Sequence, residues 1–301
     1  MRGGSGGERG TRTEAVVLDG AVGLALGSAG FLALALILAR LGLRARPVIA
    51  AAATSVPTAT VLMWLAAPVA LDVGRFDPMA AAIFAGCGVL FPIGQTVLSF
   101  ETNRRMGPAL AGALSNVTPL FALGLAALIL GEQVTAWRGV GAVVIILGVA
   151  LLSLRGGTGR RDWPLWVLVL PVASAVIRSV TQTGVKAGLA LWPSAFAASL
   201  VGYTVSSAVI LTLRAVRKVA PVPWREHGMF MLVGVCNAAA VMLMYAALAR
   251  GAVSVVAPLV ATYPLFTLGL SALMLRDERI HARLLGGVAV TVAGVVLVLV
   301  G

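Results

Sequence analysis

Ser174, Arg178 and Gln182 fall one helical turn apart in an otherwise mostly apolar run, SAVIRSVTQ, and they are the residues best placed to do chemistry. On a helix they share one face, together with Thr181. A guanidinium presents a planar fork of donors that suits a carboxylate or a phosphate, so the chemistry indicated is recognition of an anionic or zwitterionic small molecule. A helix starting at Trp163 carries Arg178 about 22 Å along its axis, inside the hydrocarbon of a membrane but past its centre. A charge there costs at least about 2.5 to 3.5 kcal/mol if it meets lipid, so Arg178 should face a cavity or a partner. The competing reading has the side chain snorkel, or bond to carbonyls freed by a kink at Pro171. If Arg178 binds an anion, a purely cationic drug is a poor substrate, since it meets repulsion.

Other polar residues sit in apolar surroundings with the same periodicity. Gln95, Ser99, Thr102 and Asn103 share a face, Asn237 and Tyr245 are eight residues apart, and Tyr203, Ser206 and Ser207 form a third group. Pro119 and Pro264 each read as lying inside a helix, where the ring removes a donor and kinks the axis. The carbonyls freed there could be served by Ser115, Asn116 and Thr118 in one place and by Thr262 and Tyr263 in the other. We therefore expect Arg178, Ser174, Gln182, Gln95, Ser99, Asn116, Asn237 and Tyr263 to bind substrate. Structural or gating roles are expected at Pro119, Pro264, Glu132 and Glu278.

The inventory argues against an enzyme. No HxxxxD, HExxH or paired intramembrane carboxylates occur, and the two histidines, His227 and His281, fall in connections at helix edges. Cys87 and Cys236 read as small core residues, so neither a disulfide, a metal nor a cofactor is called for. Glu101 and Arg105, one turn apart, read as an exposed pair worth only about 0.3 to 0.5 kcal/mol.

The elements that must position these residues are membrane helices. Of 301 residues, 59% are apolar and 11% charged, and mean hydropathy is +1.00. Ten segments are long and apolar enough to span about 30 Å of hydrocarbon. They run roughly over 18–39, 48–69, 78–100, 109–130, 136–154, 163–183, 193–213, 228–249, 252–275 and 282–300. The net charge of +12 is spread over short connections, which points to lipid headgroups and not to nucleic acid. Residues 1–17, rich in Gly, Arg and Glu, read as a disordered tail without a signal peptide. Trp137, Trp163, Trp166, Trp192 and Trp224 read as interfacial anchors.

The chain is also duplicated. PLFALGLAALIL from Pro119 matches PLFTLGLSALML from Pro264 at nine of twelve positions, 145 residues later. One inserted residue then aligns Glu132 with Glu278, Gly141 with Gly287 and Gly148 with Gly294. Five spans per half is an odd number, so the halves must enter the membrane in opposite senses. The expected fold is all-α and integral to the membrane, ten helices in two inverted five-helix repeats over 18–154 and 163–301. Such repeats are a common construction of secondary transporters, with a substrate site at the midplane between halves.

With the duplicated PLF stretch, the acidic residue closing the fourth and ninth spans, and the glycine-bearing fifth and tenth spans, the chain resembles the EamA-type transporters of the drug/metabolite transporter superfamily. The resemblance implies a ten-helix basket with spans 1–4 and 6–9 around a cavity and spans 5 and 10 outside. It also implies export or exchange of small metabolites by alternating access, in a cell membrane. A lipid-linked sugar flippase or a drug exporter on the same scaffold is the alternative, and the sequence leaves a homodimer open. Lys and Arg number fifteen in the connections after odd-numbered spans against seven elsewhere, Arg178 aside, which puts both termini outside; the relatives usually keep both in the cytoplasm.

Overall fold

The computed structural model describes residues 7–42, 47–94, 98, 102, 117–153, 164–275 and 282–301. Every regular element among them is helical. In chain order these are α1 (Gly7–Gly42), α2 (Val48–Ala70), α3 (Pro78–Val89), α4 (Thr118–Leu130), α5 (Ala136–Ser153), α6 (Val169–Leu191), α7 (Ala195–Val216), α8 (Trp224–Arg250), α9 (Val253–Val260), α10 (Tyr263–Leu275) and α11 (Ala282–Val300). Five stretches are long and apolar enough to cross a membrane by length and composition: Gly20–Ala39, Val48–Ala70, Trp166–Leu191, Ala195–Val216 and Trp224–Arg250. Further apolar helices are shorter, which makes this a multi-pass membrane protein.

Local chemistry sets where the helices begin and stop. Asp77 caps α3 by accepting from the Ala80 amide at 2.7 Å, with Pro78 preorganised at the first position. Ser194 caps α7 by accepting from the Ala197 amide at 3.1 Å. Gly131 ends α4 in the left-handed region, φ 66°, where a side chain would be strained.

Small residues let backbones meet. A Cβ added to Gly88 of α3 would lie 2.5 Å from the Gly202 carbonyl oxygen of α7, and one on Gly234 of α8 would overlap the Ser55 carbonyl oxygen of α2. In α5 and α11, Gly141 lies against Gly294 and Val298, Gly294 against Ile145, and Gly148 against Thr291. Rising numbers in one helix thus meet falling numbers in the other, so α5 and α11 run antiparallel. The same holds for α2 and α7, where Thr60 meets Ser207 and Trp64 meets Thr204. The neighbour pattern repeats when the halves are exchanged: α1 packs on α8 as α3 does on α6, α2 on α8 as α7 on α3, and α4 on α6 as α10 on α1. Helices α5 and α11 pack chiefly on each other, outside the bundle made by the rest.

Several expectations need correction. The third span is broken, not continuous: α3 ends at Val89, and Phe91 is extended (φ −128°, ψ 131°) ahead of Pro92, because a proline disfavours helical geometry in the residue before it. The carbonyl four residues before Pro92 belongs to Gly88, and Ser206 of α7 donates to it at 2.6 Å and to the Phe91 carbonyl at 3.0 Å. Pro264 does not kink a continuous helix; α9 stops at Val260, Ala261 and Thr262 turn, and α10 starts at Tyr263. Pro119 likewise sits in the first turn of α4. Both junctions are closed the same way, Leu120 donating to the Val117 carbonyl at 3.1 Å and Leu265 to that of Thr262 at 2.9 Å. Thr262 bonds the Leu259 carbonyl at 2.6 Å, which is not the carbonyl that Pro264 frees, that of Val260.

Helix α1 begins at Gly7, so most of the stretch read as a disordered tail continues the first helix, since extending a formed helix costs little compared with nucleating one. Trp192 is no interfacial anchor. It is 3% exposed, packs edge-on against Phe76 at 5.2 Å, and donates through Nε1 to the Asp72 carbonyl at 3.2 Å. Trp137, Trp166 and Trp224 are exposed, and Cys87 and Cys236 are free and buried.

Candidate functional site

The rotation of α6 about its axis is set by its neighbours. Gly184 and Gly188 present a bare surface to α3, where an added Cβ would lie 3.0 Å from Cys87 Sγ and 2.5 Å from the Phe84 ring. Cys87 Sγ reaches the Thr181 carbonyl at 3.7 Å. Ser179 donates to the Thr118 carbonyl of α4 at 2.9 Å, tying α6 to the residue ahead of Pro119. With those sides occupied by α3 and α4, the Ser174, Arg178, Gln182 face turns to α8 and the α9–α10 break.

Arg178 lies at the midpoint of the apolar stretch Trp166–Leu191, deeper than the sequence-derived span placed it. It is half-buried, and its guanidinium carbon stands 6.0 Å from the centre of the Tyr263 ring, within reach of a cation–π contact. Tyr263 opens α10, so the two residues predicted from separate parts of the sequence come together where α6 meets the break in the ninth span. Ser174 (1% exposed) and Gln182 (2% exposed) are buried in the helix packing on either side. The Gln182 Nε2 donates to Met244 Sδ at 3.6 Å, a weak acceptor, while its Oε1 has no partner among the described residues. Thr183 Oγ1, also buried, has none among them. Asn237 is half-buried on α8. Gln95, Ser99, Asn116 and Glu278 lie outside the described residues. Thr102, of the same expected stripe as Gln95 and Ser99, is buried and donates to the Leu98 carbonyl, 2.7 Å away.

Around this site the helices are joined by hydroxyl groups. Thr60 of α2 bonds Ser207 Oγ at 2.7 Å and the Tyr203 carbonyl at 3.0 Å, and Ser28 of α1 donates to the Ala240 carbonyl of α8 at 2.7 Å. No group of three or more metal-ligating side chains occurs among the described residues.

Two polar contacts went unread in the sequence. The span read from the sequence ends at residue 183 and leaves Lys186 in a connection, but α6 continues to Leu191 and carries it inside. Its Nζ donates to the carbonyls of Leu248 at 2.6 Å and Gly251 at 2.8 Å, at the C-terminus of α8. Glu132 closes α4 as expected, but it does not cap the helix that follows. Its two oxygens accept from the amides of Val253 at 2.8 Å and Ser254 at 3.0 Å, at the start of α9 in the other half of the chain. The helical reach of Lys186, four residues beyond Gln182 on the same face, was the available signal.

Comparison with known proteins agrees with the duplicated bundle. A curated relative, the "Probable terminal-alkyne amino-acid exporter" of Streptantibioticus cattleyicolor, is 35% identical over 80 residues, 27% of this chain. The match spans about a quarter, 26%, of that relative's length. A solved structure described only as "Crystal structure of protein" superposes with a TM-score of 0.77, covering 92% of this chain and 97% of its own; at 19% identity the likeness is one of fold. The model of the EamA-like transporter family matches twice, over residues 20–154 and again over 164–300. Two matches that together take in nearly the whole chain place it plainly: this protein is a member of the EamA-like transporter family.

Proposed function

We propose that this protein is a secondary, non-ATP exporter or exchanger of small zwitterionic or anionic metabolites, amino acids among them, working by alternating access in the cell membrane. As a member of a transporter family it is not an enzyme. The reading extends to ten membrane helices in two inverted repeats, supported by the antiparallel course of α5 against α11 and of α2 against α7, which occupy equivalent places in the two halves.

One observation carries the substrate class: Arg178 is half-buried at mid-span, with its guanidinium over the Tyr263 ring at the break between α9 and α10. A fixed fork of donors in a low-dielectric setting favours a carboxylate or phosphate and repels a cation. The break supports the reading, because interrupted helices at mid-membrane leave backbone and side-chain polar groups available to a substrate. That a relative is named as an amino-acid exporter agrees with it.

The test is uptake of labelled amino acids and their analogues into proteoliposomes. Arg178→Gln is expected to abolish transport at normal protein recovery, and Arg178→Lys to retain part of it. Wild-type rates in the glutamine variant, or a preference for quaternary cations, would refute the anion site. Transport of a lipid-linked sugar with no flux of soluble metabolites would favour a flippase.

A further inference from the structure

The contacts of Glu132 and Lys186 converge on one short corner, the turn from α8 into α9. An α8 C-terminus presents carbonyl oxygens and partial negative charge, and the Lys186 ammonium meets two of them, Leu248 and Gly251. The α9 N-terminus presents amide hydrogens and partial positive charge, and the Glu132 carboxylate meets two of those, Val253 and Ser254. Arg138, at the start of α5, adds a third tie through Nη1, 3.5 Å from Ser254 Oγ and 3.4 Å from the Gln133 carbonyl. Gly251 itself has no room to spare, since an added Cβ would lie 2.9 Å from that of Ala21 in α1.

Two features distinguish this corner from ordinary helix capping. Glu132 and Arg138 come from the α4–α5 corner in the other half of the chain, so their bonds join the two bodies that must move past one another in alternating access, while Lys186, in the same half as α8 and α9, fixes the corner they meet. The seal is also tight: Val253, Ser254 and Val256 are fully buried beneath it, and Ala257 is 1% exposed. Here a carboxylate binds backbone amides and a guanidinium meets a hydroxyl across the halves, with an ammonium on the carbonyls of the receiving corner. Bonds of that kind are stronger than neutral ones when made, yet each partner has an alternative in water when the corner opens.

We propose that Glu132 and Arg138 form a latch that holds this mouth of the transporter shut, on a corner that Lys186 holds in place, and that opening the mouth requires the α4–α5 corner to leave the α8–α9 corner. The proposal rests on the transport reading above. Lys186 and Glu132 are positioning residues: neither touches substrate, and both set which mouth is open.

The experiment reads opening directly. Ala257→Cys is placed in a background with Cys87→Ala and Cys236→Ala, and the protein is reconstituted in nanodiscs, where both faces meet a charged, membrane-impermeant maleimide. The parent is expected to label slowly. Glu132→Gln and Lys186→Met each remove charge-assisted bonds and should label at least about tenfold faster, the population change that loss of one such bond brings. Lys186→Arg keeps the cation and should stay close to the parent. If Glu132→Gln is not monodisperse, Glu132→Asp retains the charge with a shorter reach and must also label faster than the parent. Labelling at the parent rate in both latch variants overturns the proposal, whatever their transport rates. Arg178→Gln separates the two ideas: it should lose transport and label at the parent rate. Should that variant transport normally while the latch variants open, the anion site falls and the latch stands.

Discussion

Gly88→Ala should be among the most damaging single-methyl additions in the bundle, whereas Gly86→Ala, two residues away on the same helix, should be harmless. A Cβ on Gly88 would lie 2.5 Å from the Gly202 carbonyl oxygen, 2.9 Å from its Cα and 3.1 Å from its carbonyl carbon. Those are backbone atoms, so no rotamer change can relieve the overlap; α3 and α7 must part until the gap reaches the 3.4 Å of ordinary contact. Parting them stretches the 2.6 Å bond from Ser206 to the Gly88 carbonyl, which serves the break at Pro92. Overpacking of this kind costs about 1 to 3 kcal/mol. An added Cβ on Gly86 meets nothing within 4 Å, and replacing a mid-helix glycine by alanine stabilises by up to about 1 kcal/mol. The two variants should therefore differ by about 1 to 4 kcal/mol. The assay is thermal unfolding in detergent, followed by the monodisperse fraction of a fluorescent fusion, with the parent alongside. If Gly88→Ala melts at or above Gly86→Ala, the close approach of α3 and α7 is not as described, and the argument fails with it.

Further outcomes follow from the same packing. Ser206→Ala leaves the Gly88 carbonyl without the donor it has here and should lower stability by about 1 to 3 kcal/mol in the same assay. Ser199→Ala, whose hydroxyl bonds only its own helix at the Ala195 carbonyl, serves as the neutral comparison. Pro264→Ala should leave thermal stability within about 0.5 kcal/mol of the parent, because a proline in a helix's first turn removes no intrahelical bond; a loss of about 3 kcal/mol would indicate an interior position. Thr60→Val removes the bonds to Ser207 and the Tyr203 carbonyl and should cost about 0.6 to 1.7 kcal/mol, read by thermal unfolding.

What could be read in the sequence was whatever depends on repetition and composition. The duplicated PLF stretch anticipates a neighbour pattern that survives exchange of the halves, and the sevenfold spacing of Gly141 and Gly148 anticipates the close contact with α11. Depth was harder to read. Lys186 ended up inside α6, because a lysine near the end of an apolar run looks like a loop residue unless its partners are known, and those are carbonyls sixty residues away. The break at Pro92 leaves no mark in the sequence beyond the proline itself, and a membrane helix can carry a proline without stopping. Trp192 looked like an anchor for its position at a helix end, but a tryptophan whose indole N–H finds a carbonyl can be buried whole. Charged groups at helix ends pick partners by three-dimensional proximity, so Glu132 could not be matched to Val253 and Ser254 from spacing alone.

The facing glycines of α5 and α11 bear on how the protein is made. Gly141 and Gly148 prepare a bare groove in α5, and its partner α11 is synthesised after all the other helices described here. During translation the groove must therefore stay empty, or be covered by lipid, while some 130 residues of intervening chain are inserted. Closure of the α5 groove coincides with arrival of α11. A nascent chain stalled before α11 presents an unpaired glycine face to the membrane.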